Sequence, residues 1–158
     1  KLLSKYSNLI ICQTFSKAQG MAGIRLGMAF AQTELIKYIN RIKAPYNLNS
    51  LTIEAAFKRL RDQDKIRKNV NYLIRERKRI EKLLNEISFI KKIYPSDANF
   101  VLVLVDNSDL RYKQLLDLNI VVRNASKNLA CENTLRISIG LVKENNALIT
   151  ALQKMEKQ

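Results

Sequence analysis

Apolar residues in the first third of the chain form two short runs that predict buried strands. One run is Leu9–Cys12 and the other is Leu26–Ala31, which predicts a strand over Arg25–Ala31, and continuous apolar runs of this length are typical of strands covered on both faces. The segment between them, Thr14–Gly23, is polar and carries two glycines, so we expect a loop there. A short helix over Glu34–Lys43 is predicted next, with Thr33 as its cap.

The clearest break in the chain is Ala44–Ser50, where a proline and two asparagines disfavour regular structure. We place a domain boundary here, with residues 1–50 in one domain and residues 51–158 in the other. From Ile53 to Ile87, apolar residues recur every three or four positions, which predicts about thirty residues of amphipathic helix in one piece or two. A helix of this length exceeds what a compact core needs, so we expect it to run from one domain along the other.

After Ser88 the period of the apolar pattern changes from helical to alternating. The predicted strands are Phe89–Tyr94, Asn99–Val105, Ile120–Arg123 and Thr134–Ile139, and the predicted helices are Leu110–Leu118 and Lys143–Gln158. In the last strand, alternation predicts inward Leu135, Ile137 and Ile139 with outward Arg136 and Ser138. This part of the chain is therefore predicted to be an α+β layer of one sheet and one set of helices.

The composition is that of a globular protein, with 47% apolar and 27% charged residues in 158. No apolar run approaches the roughly 20 residues of a membrane helix. The first residues also lack the basic start, apolar stretch and cleavage site of a signal peptide. A cytoplasmic location without a membrane partner is the default expectation.

The chain has no histidine and only two widely separated cysteines, Cys12 and Cys131. Ser–His and Cys–His nucleophile pairs, histidine metal sites and Cys-x-x-Cys motifs are thereby excluded, and we expect no metal. Both thiols are predicted to act as small apolar packing groups.

The net charge of +14 raises the possibility of a nucleic-acid partner. Much of the positive charge lies between Lys58 and Lys82, where Asp62, Asp64, Glu76 and Glu81 are interleaved with the basic residues. Mixed charge at helical spacing favours the exposed face of an amphipathic helix. A basic module that binds nucleic acid is the alternative from another functional class.

The loop between the first two predicted strands carries the strongest candidate chemistry. Lys17 stands between the hydroxyls of Thr14 and Ser16 on one side and Arg25 eight positions later. An amine attacks an aldehyde only when it is neutral, and a nearby positive charge such as Arg25 favours the neutral form. A guanidinium also matches a phosphate. The loop therefore suits a covalently held, phosphate-bearing cofactor, with Lys17 forming a Schiff base, although these residues alone leave an ordinary surface loop open.

The loop sequence resembles a known signature. Thr14–Lys17 followed by Ala22–Gly27 is similar to the lysine motif of the class I and II aminotransferases, which share the aspartate aminotransferase fold. The remaining landmarks resemble the histidinol-phosphate aminotransferases in order and spacing: Pro45–Asn49, Pro95–Phe100, Ile120–Asn124 and Thr134–Gly140. The resemblance covers essentially the whole chain.

The resemblance implies an α/β chain that is the C-terminal portion of a fold-type-I transferase. Residues 1–50 would be a remnant of the large cofactor-binding domain, and residues 51–158 the interdomain helix and the small domain. The N-terminal half of the family, including the aspartate for the pyridine nitrogen, should precede Lys1. We therefore expect an enzyme in the parent protein and no activity in the 158 residues alone.

The resemblance also implies a cofactor, pyridoxal 5'-phosphate. Lys17 would bond its aldehyde and then move the proton between the substrate Cα and the cofactor. The cofactor phosphate would be bound by Thr14, Ser16 and Arg25.

The implied substrates are an amino acid or amino-phosphate, here histidinol phosphate of histidine biosynthesis, and 2-oxoglutarate. Arg136 would hold the substrate carboxylate and Arg123 the phosphate of histidinol phosphate. A homodimer is implied for the parent enzyme. A related aminotransferase acting on aromatic or other amino acids is the alternative within the class.

Overall fold

The structure, a computed structural model, describes residues 1–156 and contains two compact units. The first is Lys1–Asn69 and the second begins at Val70. The predicted division of the parent fold after residue 50 stays a prediction. Within residues 1–156, no helix has both the length and the apolar content that crossing a membrane requires.

The first unit is built on a two-stranded antiparallel sheet. Strand β1 (Ile11–Thr14) pairs with β2 (Gly27–Phe30), and Thr14 stands opposite Gly27. A four-residue helix, α1 (Leu2–Lys5), precedes the sheet. Both predicted strands are present, with bounds that differ from the predicted ones by a few residues.

The prediction that these two strands are buried is wrong within this unit. Ile10 and Phe30 are 44% and 43% exposed, and Cys12 is exposed rather than packed as predicted. The reason is that a sheet of two strands buries little by itself, because its faces need another layer to cover them. Cys131, in the second unit, is half-buried.

Helix α2 (Thr33–Ile42) follows the sheet. Gln32 is its N-cap residue and makes no side-chain capping bond, so the prediction of Thr33 as the cap is wrong. Thr33 already belongs to the helix, where its hydroxyl is past the position that reaches the free backbone N–H groups.

The long periodic segment forms two helices, α3 (Ser50–Arg61) and α4 (Gln63–Leu84). Asn49 caps α3, since its side-chain oxygen accepts a hydrogen bond of 2.8 Å from the Thr52 N–H. Asp62 separates the helices, and its carboxylate accepts from the Lys65 N–H at 3.3 Å. The apolar stripe of α3 is mostly exposed in this unit, where only Thr52 and Ala56 of the helix are buried.

The second unit contains a four-stranded antiparallel sheet in the order β3-β4-β6-β5. Its elements are β3 (Ile90–Tyr94), β4 (Phe100–Val105), α5 (Ser108–Asp117), β5 (Arg123–Asn124), β6 (Thr134–Ser138) and α6 (Val142–Met155). The predicted α+β layer of one sheet with helices is therefore confirmed, while Lys157 and Gln158 of the predicted last helix lie outside the described residues.

The core of the second unit lies between the sheet and its helices. Val101 and Val103 of β4, Leu135 of β6 and Leu152 of α6 are almost fully buried in it. The predicted alternation of β6 is confirmed, because Leu135 and Ile137 are buried while Ser138 is exposed. Burial of this apolar surface is the main stabilising contribution to the unit.

Strand β5 is shorter than predicted and shifted along the chain. The prediction was Ile120–Arg123, whereas only Arg123 and Asn124 pair with β6. The Ile120 N–H instead donates to the Leu115 carbonyl at 2.8 Å, which closes the C-terminal end of α5. The residues just before Arg123 are therefore used to end a helix and not to extend the sheet.

Two residues of the mixed-charge stretch are buried rather than solvated. Glu76 is 4% exposed and Arg77 is 8% exposed. The interpretation of this stretch as a uniformly solvated helix face is therefore wrong at these positions. The reason is that each side chain has a polar partner in the second unit: Glu76 accepts from the Asn145 and Arg79 side chains, and Arg77 donates to the Ala98 carbonyl.

Candidate active site

The lysine loop connects β1 to β2 and is held by its own backbone. Phe15, only 1% exposed, anchors it: its N–H donates to the Leu26 carbonyl at 3.1 Å and its carbonyl accepts from the Met21 N–H at 2.8 Å. The Gly20 N–H donates to the Lys17 carbonyl at 2.9 Å, and Gly20 has a φ of +67°, which favours glycine. The loop is thus a closed turn that presents Lys17 as an exposed side chain.

The hydroxyls of Thr14 and Ser16 lie together beside this turn. Thr14 Oγ1 donates to Ser16 Oγ at 3.0 Å and accepts from the Ser16 N–H at 3.1 Å. Such local bonds from a threonine side chain fix a turn in the backbone. The two hydroxyls predicted to act together are therefore adjacent.

Arg25 ends the short 3₁₀ helix Ala22–Ile24 and has a φ of +53°. A left-handed conformation at a residue other than glycine costs about 1 kcal/mol or more, and such residues cluster at ligand sites. One guanidinium nitrogen, Nη1, donates to the Ala22 carbonyl at 3.2 Å. In residues 1–156 no carboxylate lies within 4.0 Å of this guanidinium.

The donors of the lysine loop fit a phosphate-bearing aldehyde. Two hydroxyls and an unpaired guanidinium are suitable donors for phosphate oxygens, and the Lys17 amine is a suitable nucleophile for an aldehyde. The structure brings Thr14 and Ser16 into contact and places Lys17 and Arg25 in the same loop region between β1 and β2.

Sequence reasoning missed two residues of α3 that support this loop. Arg59 donates from Nε to the Gln19 carbonyl at 2.7 Å, and Thr52 donates from its hydroxyl to the Ile24 carbonyl at 3.4 Å. The two residues are seven positions apart, which puts them on the same face of the helix. This spacing of polar groups within an apolar stripe was the signal that could have identified them.

The second unit brings the two other predicted arginines together. Arg123 of β5 stands directly opposite Arg136 of β6, so the two side chains project from the same face of the sheet. This is the face opposite the core, because the neighbouring Leu135 and Ile137 point inward. Like charges placed directly opposite each other destabilise a strand pair. The pairing therefore suits a shared anionic ligand.

Arg136 is oriented by an aromatic ring. Its guanidinium carbon lies 5.0 Å from the centroid of the Phe100 ring. Its Nε is buried and has no hydrogen-bond partner among the described residues. A buried N–H without an acceptor is rare in folded proteins, and Arg77 Nε is the other such atom found among the described residues.

The segment after Arg123 is tied to the start of α5. Asn124 donates from its side-chain amide to the Asp109 carboxylate at 2.6 Å and accepts from the Ser126 N–H at 3.0 Å. An open groove of about 570 Å³ lies here, lined among others by Arg123 and Lys127. The groove offers cationic side chains beside the arginine pair.

A buried polar network fixes the turn that follows β6. The Glu76 carboxylate accepts from Asn145 Nδ2 at 3.0 Å and from Arg79 Nη2 at 2.8 Å. Asn145 in turn bonds both polar backbone groups of Gly140, at 2.9 and 3.1 Å, and the Tyr72 hydroxyl donates to the same Gly140 carbonyl at 3.1 Å. The network thus joins α4 and α6 to the end of the arginine-bearing strand.

The network also sets the charge of its carboxyl group. The Arg79 hydrogen bonds hold the pKa of Glu76 below its ordinary value, against the opposing effect of burial, and the Asn145 bond acts in the same direction as Arg79. Glu76 is therefore a carboxylate in the folded protein at neutral pH.

Fold and site together define a class of protein. The sequence profile described as "Aminotransferase class I and II" matches residues 1–152. The chain belongs to this family, as its lysine motif indicates, and the predicted fold class is confirmed.

Within this family, the chain is similar to individual histidinol-phosphate aminotransferases. The chain is 50% identical to histidinol-phosphate aminotransferase from Parabacteroides distasonis over 156 residues, which are 99% of this chain and 45% of that protein. The crystal structure of histidinol-phosphate aminotransferase from Clostridium acetobutylicum superposes with a TM-score of 0.90 at 31% identity, over 98% of this chain and 48% of that one.

A further structure, histidinol-phosphate aminotransferase from Sinorhizobium meliloti in complex with pyridoxal-5'-phosphate, gives a TM-score of 0.81 at 25% identity, over 96% and 42% of the two chains. The chain therefore spans less than half the length of the relatives it matches. The resemblance to histidinol-phosphate aminotransferases is confirmed as a similarity over almost the whole chain.

Proposed function

We propose that this chain supplies the lysine-bearing and arginine-bearing parts of a pyridoxal-phosphate-dependent aminotransferase that acts on histidinol phosphate in histidine biosynthesis. The observation that carries the proposal is the lysine loop, where an exposed amine follows a hydroxyl pair and precedes an unpaired guanidinium. Support also comes from the 50% identity to a histidinol-phosphate aminotransferase.

The residues of the first unit would hold the cofactor. Pyridoxal phosphate, when bound, supplies an electron sink for the carbanion chemistry of amino acids. Lys17 would carry the cofactor covalently and, once released by substrate, move the proton at the substrate Cα. Thr14, Ser16 and Arg25 would bind the phosphate through charge-assisted and hydroxyl hydrogen bonds.

The arginine pair of the second unit would hold the substrates. A transamination takes two substrates in turn, and both histidinol phosphate and 2-oxoglutarate carry anionic groups. Arg123 would bind the phosphate of the first, and Arg136 the carboxylate of the second. A guanidinium fork serves both anions, and fixing them orients the reacting Cα–H bond.

The structure gives a reason to prefer this function over a nucleic-acid-binding module. Three arginines of the basic stretch, Arg59, Arg77 and Arg79, donate hydrogen bonds within their own units. They are therefore not available as phosphate contacts on an exposed helix. We further propose a cytoplasmic homodimer for the parent enzyme, as the family resemblance implies.

The test uses the full-length enzyme that contains this chain. With histidinol phosphate as the amino donor, we expect this enzyme to convert 2-oxoglutarate to glutamate. Lys17→Ala should abolish this turnover. Residues 1–158 alone should show no turnover. Turnover by this isolated chain that disappears with Lys17→Ala would contradict the need for the rest of the protein.

The assignment of histidinol phosphate as the substrate is tested by comparing the effect of Arg123→Ala on two substrates. Arg123→Ala should lower kcat/KM for histidinol phosphate about 10- to 100-fold, the loss of a charge-assisted contact, while an aromatic amino acid is affected much less. Lys127→Ala, which removes another cation from the same groove, is the matched control. An equal loss for both substrates in Arg123→Ala would refute the role of Arg123 and favour a related aminotransferase.

A further inference from the structure

Arg136 differs from Arg79 and Arg111, two other arginines of its unit, in what it contacts. Arg79 pairs with the Glu76 carboxylate at 2.8 Å, and Arg111 pairs with the Asp106 carboxylate at 2.6 Å. Among residues 1–156, no carboxylate lies within 4.0 Å of the Arg136 guanidinium, which instead lies over the Phe100 ring at 5.0 Å. This guanidinium is thus oriented by a group that carries no charge.

The geometry of the sheet places the ring and the guanidinium next to each other. Arg136 stands opposite Leu102 in β4, and Phe100 is two residues from Leu102 on the same face. Diagonal neighbours of this kind on adjacent strands are within reach of aromatic and long side chains. The contact therefore follows from the register between β4 and β6.

Hydrogen bonds fix the backbone that carries the ring. The Phe100 carbonyl accepts from Ser96 Oγ at 2.6 Å, and the preceding Ala98 carbonyl accepts from Arg77 Nη1 at 2.8 Å. The Ile139 N–H also donates to the Asn99 carbonyl at 2.9 Å, which joins this segment to β6. The start of β4 is thereby fixed to α4 and to the arginine-bearing strand.

A ring orients a guanidinium without neutralising it. A cation over an aromatic face is attracted by the ring quadrupole, so the long side chain loses rotamer freedom before any ligand arrives. A carboxylate in the same place would also orient the guanidinium, but it would compete with an incoming anion for the same N–H groups. The Arg136 Nε has no acceptor among the described residues, so its hydrogen-bonding capacity is not used within the protein.

We propose that Phe100 is a positioning residue that pre-orients the Arg136 guanidinium for a carboxylate ligand while leaving its charge uncompensated. The proposal rests on the proposed function, which assigns Arg136 to a substrate carboxylate. It assigns to Phe100 a part in substrate affinity.

The first test is carboxylate binding by the full-length enzyme that contains this chain, with 2-oxoglutarate as the probe and the Arg136 Nε–Hε NMR signal as the readout. The wild-type signal should shift on titration. Phe100→Leu should weaken this binding about 5-fold, because the ring contact is lost while an apolar side chain remains. Phe100→Tyr, which keeps the ring, should bind as tightly as wild type.

Tyr94→Leu is the matched control. Tyr94 pairs with Leu102 from the other side of β4, so its ring stands on the same sheet face, where it contacts Lys92 at 4.7 Å. Its loss should leave 2-oxoglutarate binding unchanged. If Phe100→Leu loses its far-UV circular dichroism, Phe100→Met provides the same removal of the ring with a flexible side chain.

The second test is kinetic and uses the full-length enzyme. Phe100→Leu should raise KM for 2-oxoglutarate about 5-fold with kcat nearly unchanged, a split that general destabilisation does not produce. Binding by wild type that is unaffected by Phe100→Leu would overturn the positioning role. A wild-type Arg136 signal that does not respond to 2-oxoglutarate would instead overturn the assignment of Arg136 itself, so the two failures are distinguishable.

Discussion

The Glu76 network offers the sharpest stability test of the second unit. The Glu76 carboxylate is 4% exposed and accepts hydrogen bonds from Asn145 and Arg79. Glu76→Ala removes the acceptor and leaves the Asn145 amide, itself 3% exposed, with one N–H unsatisfied. The substitution therefore acts on the link between α4 and the turn after the arginine-bearing strand.

The size of the effect follows from the exposure of the two partners. A buried amide N–H without an acceptor costs about 1–3 kcal/mol. The Arg79 side chain is 36% exposed and regains water when its partner is lost, so the ion pair contributes only about 0–1 kcal/mol. Glu76→Ala should therefore lower the free energy of unfolding by about 1–4 kcal/mol.

Urea unfolding followed by far-UV circular dichroism measures this difference, since the chain has no tryptophan for fluorescence. Glu86→Ala is the matched control, because Glu86 is an exposed glutamate just after α4, and its loss should change stability by no more than about 0.5 kcal/mol. A Glu76→Ala chain as stable as Glu86→Ala would refute the network as a source of stability.

The pH dependence of stability provides a second test of the Glu76 carboxylate. Its pKa is lowered in the folded state, chiefly by the Arg79 hydrogen bond, so folding favours the ionised form. The stabilisation is complete above the ordinary glutamate pKa of about 4.3 and is lost as pH falls through the lower pKa of the folded protein. The stability advantage of wild type over Glu76→Gln should shrink across this acidic range, and an advantage constant with pH would contradict the assignment.

Two further predictions concern the lysine loop and α5. Arg59→Ala should speed amide hydrogen exchange at Gly20 and Met21 up to about 10-fold, because it removes the 2.7 Å bond to the Gln19 carbonyl; exchange equal to that of the exposed-lysine control Lys58→Ala would contradict this. Asn107→Ala should cost about 1 kcal/mol of unfolding free energy by removing the 3.0 Å cap bond to the Leu110 N–H, whereas Asn107→Asp, which keeps a capping oxygen, should cost much less.

The second unit was largely predictable because local pattern and tertiary burial agree there. Alternation in β6 correctly separates the inward Leu135 and Ile137 from the outward Arg136 and Ser138. In a strand with one covered face and one open face, apolar and polar residues alternate with a period of two. The sequence then shows which residues face solvent.

The apolar pattern predicts the wrong structure where a backbone group forms a hydrogen bond outside the sheet. Ile120 has the β-branched neighbours of a strand, yet its N–H bonds to the Leu115 carbonyl and ends α5. The exposed β1 and β2 show the same limit, because an apolar run predicts burial but does not supply the layer that buries it.

Contacts of polar side chains were the least predictable part of the site. Solvated and buried charged residues of a mixed-charge helix look alike in sequence, so the pattern predicts solvent exposure for both Glu76 and Arg59. In the structure Glu76 pairs with Asn145, and Arg59 pairs with the Gln19 carbonyl. The roles of Lys17 and Arg136, by contrast, are predicted from motifs that resemble the family, and these roles stay predictions.

We propose that Lys17 is the residue that carries pyridoxal phosphate. The most direct measurement is borohydride reduction of the full-length enzyme with bound pyridoxal phosphate, followed by peptide mass spectrometry. The pyridoxyl group should be found on the peptide that contains Lys17, and Lys17→Ala should carry none. A pyridoxyl group on another lysine, in an enzyme that still transaminates after Lys17→Ala, would contradict the claim.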